Sequence, residues 1–309
     1  MTSAAPGHIY ALFGLIVRSQ IPLPMGEVAA AGPADVDVAY GRIDLPAQPR
    51  WGYAEVDGGT LLSVEDVGRF LIRDGARILV DPDPAGSERN IRLFLLGSAF
   101  GALLHQRGLM PLHANAVVLG GRAFAFCGHS GAGKSTMAAW FHDQGHPILA
   151  DDVCVLGFDA AGAPLAYPGV PRLRLWREAL EEFGRRADDY QRSFDDMDKY
   201  DVPIAGEGGA AEPVPLAAVY LLAKAEEGAA AGSIQRLTGI AAVDALVANT
   251  YRGFYLEAIG GTGPHLATCV RLARTVPVFR AARVWGFDSF AAEAARLDAH
   301  ARDLGQGAR

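Results

Sequence analysis

The chain has 309 residues, of which half are hydrophobic and 20% are charged, a composition typical of a globular protein. Its net charge of −7 argues against nucleic-acid binding, which needs clustered Lys and Arg to neutralise phosphates. The start of the chain lacks a signal-peptide pattern, and the most apolar stretch, residues 93–104, is too short to span a bilayer. The three cysteines are far apart and predict neither a zinc site nor disulfides. We therefore expect a cytoplasmic protein without nucleic-acid or membrane partners.

Residues 1–86 are predicted to form a β-rich accessory region. Short strand-like runs alternate with turn signals, and Asp74-Gly75 between two such runs is typical of a hairpin. We expect an antiparallel layer without a catalytic pattern. Its predicted strands are residues 9–17, 36–40, 60–64, 69–72 and 76–80.

Residues 87–309 are predicted to form the catalytic domain, an α/β nucleotide-binding unit. A helix from Ser87 to Gln106 begins it, with Ser87 as the cap. The next predicted elements are a hairpin at 116–119 and 123–127, a glycine-rich loop, a helix to residue 144, and a buried strand at 148–150 that continues through 153–156. Later ones are an exposed charged helix or loop at 181–201, flexible segments at 206–211 and 228–232, a strand at 214–222, and helices at 241–247 and 290–304.

The glycine-rich loop carries the strongest functional signal. It satisfies the pattern GxxxxGK[ST], follows an apolar strand and opens a helix. Glycines let main-chain N–H groups point at phosphate oxygens, and the helix adds the positive end of its dipole. We expect Lys134 to reach the β- and γ-phosphates of ATP and the Ser135 hydroxyl to bind Mg²⁺. The predicted nucleotide-binding residues are Gly128, His129, Ser130, Gly131, Ala132, Gly133, Lys134, Ser135 and Thr136.

An acidic pair, Asp151-Asp152, follows the next buried strand. Such positions lie at the carboxyl edge of a sheet, where α/β folds bind ligands. One carboxylate can hold magnesium while the other accepts a proton from an attacking hydroxyl, and an ordinary turn is the alternative. His113 lies just before the hairpin, although a lone histidine is more often a structural hydrogen-bonding residue. Arg172 and Arg174 can bind a phosphate or a peptide carboxylate, or can lie exposed on a strand.

The run GHSGAGKSTMAAWFHDQGHPILADDV resembles the core of the HPr kinase/phosphorylase family. The match extends beyond the loop to Gly145-His146 and to the acidic pair, and the family also has a histidine at the position of His113. The resemblance implies a phosphoenolpyruvate-carboxykinase-like α/β fold and a serine kinase that uses ATP and Mg²⁺. It favours Asp151 as base and Asp152, with Ser135, on the metal, and the opposite assignment stays open. The implied catalytic residues are His113, Lys134, Asp151 and Asp152.

Two departures from that family narrow the expected activity. Thr136 stands where the family usually has Glu, and residues 168–176 replace its Glu-Ile-Arg-Gly-Leu-Gly segment. These differences argue against phosphorylase activity and against HPr as substrate.

A closer resemblance is to the HPr-kinase-like proteins associated with lasso-peptide biosynthesis, through residues 104–114, the loop and the stretch PRLRLW. It implies that a peptide or small protein is the partner, with phosphate transferred to the C-terminal serine of a precursor peptide. The alternatives are an HPr-type regulatory kinase, a small-molecule kinase, and a nucleotide-dependent regulatory protein without kinase activity. The preference for ATP or GTP and a homo-oligomeric state are left open.

Overall fold

The structure, a computed structural model, describes residues 7–29, 32–45, 51–194, 197–204, 212–225, 232–257, 259 and 261–306. Over these ranges the chain is a mixed α/β protein with several sheets, as the sequence predicts at this coarse level. It divides into two compact units. The first comprises residues 1–109, 193–196 and 252–265, and the second residues 110–192, 197–251 and 266–309. The predicted flexible segment at 206–211 lies outside the described residues. The same is true of residues 228–231 in the predicted segment at 228–232.

The first unit contains a seven-stranded sheet in its described part. Its strands are β1 (His8–Leu12), β2 (Leu15–Ser19), β3 (Val36–Tyr40), β4 (Trp51–Val56), β5 (Gly59–Val64), β6 (Gly68–Arg73) and β7 (Arg77–Pro82), in the order β1-β2-β3-β7-β6-β5-β4. The hairpin predicted at Asp74-Gly75 is confirmed, since β6 and β7 pair antiparallel around it.

Two expectations for this sheet are wrong. The single strand predicted at 9–17 is two strands, because Phe13 and Gly14 adopt positive φ angles of 56° and 74° and turn the chain. The layer is also not wholly antiparallel, because β3 pairs in parallel with both β2 and β7. Parallel neighbours such as these cannot be joined by a two-residue hairpin.

The predicted helix after Ser87 is present as α1 (Glu88–Phe94), a π-helical segment (Leu95–Ala99) and α2 (Phe100–Gln106). The Ser87 side chain caps it by accepting a hydrogen bond from the Asn90 main-chain N–H. The observed division keeps residues 87–109 with the first unit, unlike the boundary predicted after residue 86. Contacts explain this placement: the Gly75 N–H donates to Gln106 Oε1 at 2.9 Å, and Arg107 Nη1 donates to the Gly75 carbonyl at 2.8 Å.

The remaining helices and strands follow in chain order. They are β8 (Met110–Leu112), β9 (Ala114–Leu119), β10 (Arg122–Cys127), α3 (Lys134–Asp143), β11 (Ile148–Ala150), β12 (Cys154–Phe158), β13 (Pro164–Tyr167), β14 (Arg172–Trp176), α4 (Arg177–Glu182), β15 (Gln191–Arg192), β16 (Lys199–Pro203), β17 (Val214–Lys224), β18 (Ile234–Leu237), α5 (Ile240–Ala248), α6 (Thr262–Thr275), β19 (Val278–Arg283) and α7 (Phe290–Gln306). No helix of the described ranges combines the length and the apolar composition needed to cross a bilayer.

The main sheet of the second unit has the order β11-β9-β10-β17-β13-β12-β8, with β19 beside β17 and β18 beside β19. Strands β10, β17 and β19 are parallel neighbours and end at one edge of the sheet. Alternate residues of β10 face opposite sides: Phe124 and Phe126 pack in one apolar cluster, and Ala123, Ala125 and Cys127 in another. The strand before the glycine-rich loop is therefore buried on both faces, which makes it a rigid support.

Two further predictions for this unit are corrected. The strand expected to run from 148 through 156 is two strands, β11 and β12, which lie in different parts of the sheet. The break falls at Asp152, whose φ of 69° turns the chain. Residues 181–201, expected to be an exposed helix or loop, contribute β15 and the start of β16, which form a small separate sheet with β14 in the order β14-β16-β15.

Candidate active site

The glycine-rich loop joins β10 to α3 at the carboxyl end of β10. Gly128, Gly131 and Gly133 have φ angles of 149°, 83° and 82°, a region that side chains strongly disfavour. A Cβ on Gly128 would lie 2.8 Å from the Leu222 carbonyl oxygen and 3.1 Å from the Ala132 Cβ. The loop backbone therefore packs directly against β17, and only glycine fits at residue 128.

Lys134 opens helix α3 and its side chain folds back into the loop. Its Nζ donates hydrogen bonds to the Gly128 carbonyl at 2.8 Å and to the His129 carbonyl at 3.1 Å. The residue is only 8% exposed, and this burial lowers the pKa of the ammonium group. Asn115 on β9 donates a hydrogen bond to the Lys134 main-chain carbonyl and so ties the first turn of the helix to the sheet. The loop thus holds one buried cation beside the N-terminus of a helix, an arrangement suited to a multiply charged anion.

The acidic pair lies against the first turn of α3. Asp151 Oδ1 accepts a hydrogen bond from the Ser135 hydroxyl at 3.0 Å, and Asp151 Oδ2 accepts one from the Arg174 main-chain N–H at 2.7 Å. Asp152 Oδ2 accepts a hydrogen bond from Arg174 Nη1 at 2.7 Å. The two neighbouring carboxylates therefore have different partners: a hydroxyl and a main-chain amide for Asp151, and a guanidinium for Asp152.

The pKa values of the two carboxylates are shifted in opposite directions. Burial raises the pKa of Asp151, and the charge of Lys199 and the Arg174 main-chain N–H offset only part of that effect. Burial acts in the same direction on Asp152, but the charges of Arg174 and Lys199 outweigh it and hold the pKa of Asp152 well below its usual range. Asp152 is therefore the firmly ionised member of the pair.

His113 lies next to Asp152. Its Nδ1 is 3.2 Å from the Asp152 main-chain oxygen and 3.5 Å from Asp152 Oδ1. Its main-chain N–H donates to the Asn249 carbonyl at 2.8 Å, which anchors the residue, and its ring packs near Tyr251. Burial lowers the pKa of the imidazole, so the ring is neutral at pH 7. A neutral imidazole beside an ionised carboxylate can orient that carboxylate or exchange a proton with it.

A basic cluster, defined as Arg172, Arg174 and Lys199, faces the acidic pair. The two arginines lie on β14 and the lysine on β16, and the register of these strands pairs Arg174 with Asp201. Arg172 forms an ion pair with Asp201, and Arg174 Nε lies 3.5 Å from Asp201 Oδ1. Arg174 Nε makes no hydrogen bond to any residue that the structure describes. Because Arg174 is only 8% exposed, the alternative of an exposed strand residue does not apply to it.

A buried ion pair supports the loop from behind. Arg283 Nε, at the end of β19, donates to Glu293 Oε2 on α7 at 3.1 Å, and the two side chains are 5% and 4% exposed. Arg283 Nη1 also lies 3.4 Å from the Ala132 carbonyl of the loop. The same Glu293 accepts a hydrogen bond from the Val284 main-chain N–H at 2.9 Å. Strand β19 and helix α7 therefore hold the glycine-rich loop in position.

The structure brings most of the predicted site residues into one place. Those joined by direct contacts are His113, Gly128, His129, Lys134, Ser135, Asp151, Asp152 and Arg174. Ser130 and Gly131 are exposed, and Thr136 is partly exposed on the first turn of α3. Arg172 contacts Asp201 and only indirectly adjoins the acidic pair.

Four residues at or near the site were not predicted from the sequence: Asn115, Lys199, Arg283 and Glu293. The run VFRAAR at 278–283 carries apolar residues typical of a strand, and this signal would have located β19 and its terminal arginine. The position of Lys199 could not be predicted, because it depends on the pairing of β16 with β14.

Comparisons with known proteins give little beyond this geometry. No protein-family model matches the chain, and no curated protein matches it. Among solved structures, the chain is similar to the HPr(Ser) kinase/phosphatase from Coxiella burnetii, with 11% sequence identity and a TM-score of 0.34. That match covers 63% of this chain and 98% of the other.

Proposed function

We propose that this protein is an ATP- and Mg²⁺-dependent serine kinase. The observation that carries the proposal is the hydrogen bond from the Ser135 hydroxyl to Asp151, formed beside the buried Lys134 ammonium in a glycine-rich loop. A kinase needs a polyphosphate site, a metal site and an acidic group next to each other. The proposal includes a phosphoenolpyruvate-carboxykinase-like core, as the sequence resemblance implies.

The residues fit magnesium bound together with a nucleotide. A serine hydroxyl and a carboxylate are hard oxygen donors, which Mg²⁺ prefers, and Mg²⁺ is usually shared with phosphate oxygens and water. The described residues contain no group of three or more His, Cys, Asp or Glu side chains that could hold a metal by themselves. Ser135 and Asp151 would therefore hold the ion jointly with the polyphosphate. When bound, it neutralises charge that develops on the transferred phosphoryl group.

The contacts support a definite division of roles. We assign Asp151 to the metal and Asp152 to proton acceptance, which reverses the assignment favoured from the sequence, because the Ser135 hydroxyl bonds Asp151. The acceptor serine oxygen attacks the γ-phosphorus, the bond to the leaving ADP oxygen breaks, and the serine proton passes to Asp152. His113 and Arg174 position the Asp152 carboxylate, and Lys134 leaves its loop carbonyls to bind phosphate oxygens.

For the acceptor, we propose a peptide whose last residue is serine. The basic cluster lies beside the acidic pair, and Arg174 binds Asp152 directly. A guanidinium suits the α-carboxylate that sits next to a C-terminal serine side chain. This chemistry agrees with the precursor peptide implied by the lasso-peptide resemblance.

A second candidate function is supported by the same cluster. A kinase for a small hydroxylated anion requires Arg and Lys close to the acidic pair, and Arg172, Arg174 and Lys199 meet that requirement. The two candidates differ in acceptor size.

The experiment incubates the protein with Mg-ATP and one of three acceptors: a serine-terminated peptide, its C-terminal amide, or free serine. A mass gain of one phosphate identifies the acceptor that is used. Transfer to the free-acid peptide alone is the expected result, and transfer to free serine alone supports the small-molecule kinase.

The roles of the two aspartates can be separated by matched isosteric variants. In Asp151→Asn, we expect ATP binding to lose its dependence on Mg²⁺, because one of the oxygen ligands is weakened. In Asp152→Asn, we expect Mg-ATP binding to persist and the transfer rate to fall by about 10²–10⁴-fold, because the proton acceptor is lost. Calorimetry with and without Mg²⁺, together with phosphate transfer, measures both. The opposite pattern would restore the assignment favoured from the sequence.

Lys134→Ala tests the polyphosphate site itself. Removal of the buried ammonium should abolish measurable transfer and weaken Mg-ATP binding at least about tenfold, since this group is the cation nearest the loop carbonyls. If Lys134→Ala transfers phosphate at the wild-type rate, the kinase mechanism proposed here is wrong.

A further inference from the structure

An exposed aromatic side chain lies directly beside the glycine-rich loop. Trp285 follows β19 and is 38% exposed, and its ring centroid is 4.9 Å from that of His129 in the loop. The Lys224 ammonium, at the end of β17, lies 5.8 Å from the Trp285 ring centroid. An indole at this position can stack on a flat aromatic ligand whose charged end lies in the loop.

The backbone that carries Trp285 is held in place. The preceding residue, Val284, donates its main-chain N–H to the buried Glu293, which also holds Arg283. Arg283 in turn approaches the Ala132 carbonyl of the loop. Trp285 is therefore attached to the loop through its backbone as well as through His129, and the 38% exposed residue has a defined position relative to the glycine-rich loop.

The strand order gives the loop two distinct sides. The acidic pair follows β11, which is separated from β10 by β9, whereas Trp285 follows β19, which is separated from β10 by β17. A nucleotide with its phosphates in the loop and its γ-phosphate towards the acidic pair would extend its nucleoside away from that pair. The side on which the nucleoside emerges is then the side of Trp285.

We propose that Trp285 is the stacking platform for the nucleobase of the bound triphosphate, with the neighbouring Lys224 ammonium as a hydrogen-bond donor to the base. This inference rests on the proposed function, because it requires the triphosphate to lie in the loop. Stacking on an indole supplies a large part of the binding free energy of a nucleobase. It accepts different bases, since each has a π-face.

The experiment compares Mg-ATP with Mg-tripolyphosphate, which has the same phosphates and no base. Calorimetry is performed on the wild type, on Trp285→Ala and Trp285→Phe, and on Trp51→Ala as a matched control. Trp51 is 49% exposed and lies below the Arg252 guanidinium in the first unit, so this control removes a similar indole–cation pair that belongs to no proposed site.

We expect Trp285→Ala to weaken Mg-ATP binding about tenfold while tripolyphosphate binding stays unchanged. Trp285→Phe should keep most of the ATP affinity, and Trp51→Ala all of it. Unchanged ATP affinity in Trp285→Ala would overturn the base platform and leave the kinase proposal intact. Binding of neither compound to the wild-type protein would overturn the proposed function, and the platform with it.

A measurement on the wild-type protein guards against misfolding of the variant. ATP should quench indole fluorescence and tripolyphosphate should not, and the quenching should disappear in Trp285→Phe. Equal quenching by ATP in the wild type and in Trp285→Phe would overturn the inference, because the signal would then come from another tryptophan.

Discussion

At the scale of single residues, the glycine-rich loop depends on backbone conformation. Gly128 combines a φ angle of 149° with a main-chain carbonyl of β17 only 2.8 Å from the position of an added Cβ. Gly133, by contrast, would bring its Cβ to 3.3 Å from a side-chain atom, Nη1 of Arg283. Gly128 is therefore the less tolerant position, because backbone cannot move aside as a side chain can.

Gly128→Ala should destabilise the protein by about 1–3 kcal/mol and abolish binding of Mg-ATP, because strain and clash fall on the loop itself. Gly120→Ala is the matched control. Gly120 also has positive φ, 56°, but an added Cβ would meet nothing within 4 Å. This variant should lose stability through strain alone and bind ATP normally. Equal ATP binding by both variants would contradict the role given to Gly128. Urea unfolding and calorimetry measure the two effects.

At the scale of elements, the loop is supported by a strand and a helix from the end of the described chain. The Arg283–Glu293 pair joins β19 to α7, and its buried charges stabilise each other only while both are present. The exposed pair of Arg92 and Glu88 on α1 has no comparable role, since Glu88 is 78% exposed.

Glu293→Met should lower the free energy of unfolding by about 3–5 kcal/mol, because it leaves the Arg283 charge buried without its partner. The double variant Arg283→Met/Glu293→Met should regain much of that loss. Glu88→Gln, the surface control, should cost no more than about 0.5 kcal/mol. Urea denaturation of the three variants provides the values. A single variant as stable as the double one would show that the pair does not stabilise the fold.

Local sequence signals predicted those parts of the site that are close in the chain. The loop, helix α3 and the position of the acidic pair follow from residues 123–152, where each element adjoins the next. The partners of the acidic pair did not follow, because Arg174 reaches it through the turn at Asp152 and through the β14–β16 pairing. Parallel pairing in the first sheet was missed for the same physical reason: it joins residues that are distant in sequence, such as Asp37 and Arg77.

At the scale of the whole molecule, histidines should govern stability in weak acid. Burial lowers the pKa values of His113, His146, His265 and His300 below their ordinary value. In the unfolded chain these groups titrate near pH 6.5, so the unfolded state takes up protons that the folded state does not. Their contribution is complete above about pH 7 and is lost progressively as the pH falls from 6.5 through the lower pKa values of the folded state.

His300→Gln isolates one of these contributions. His300 Nδ1 and the Tyr220 hydroxyl are hydrogen-bonded at 2.8 Å, and glutamine can replace that contact without titrating. We expect the stability of this variant to fall less than that of the wild type between about pH 7.5 and pH 5.5. Urea midpoints across this range test the difference, and identical slopes would exclude a shifted titration of His300.

The contact between Ala132 and Arg283 joins residues that are 151 positions apart. During synthesis on the ribosome, the glycine-rich loop therefore emerges long before β19, the strand that supports it. A growing chain that has not yet released β19 carries every residue of the glycine motif but lacks its brace. Under the proposed function, nucleotide binding should therefore begin only when the last parallel strand docks, and unfinished chains should not compete for the cell's ATP.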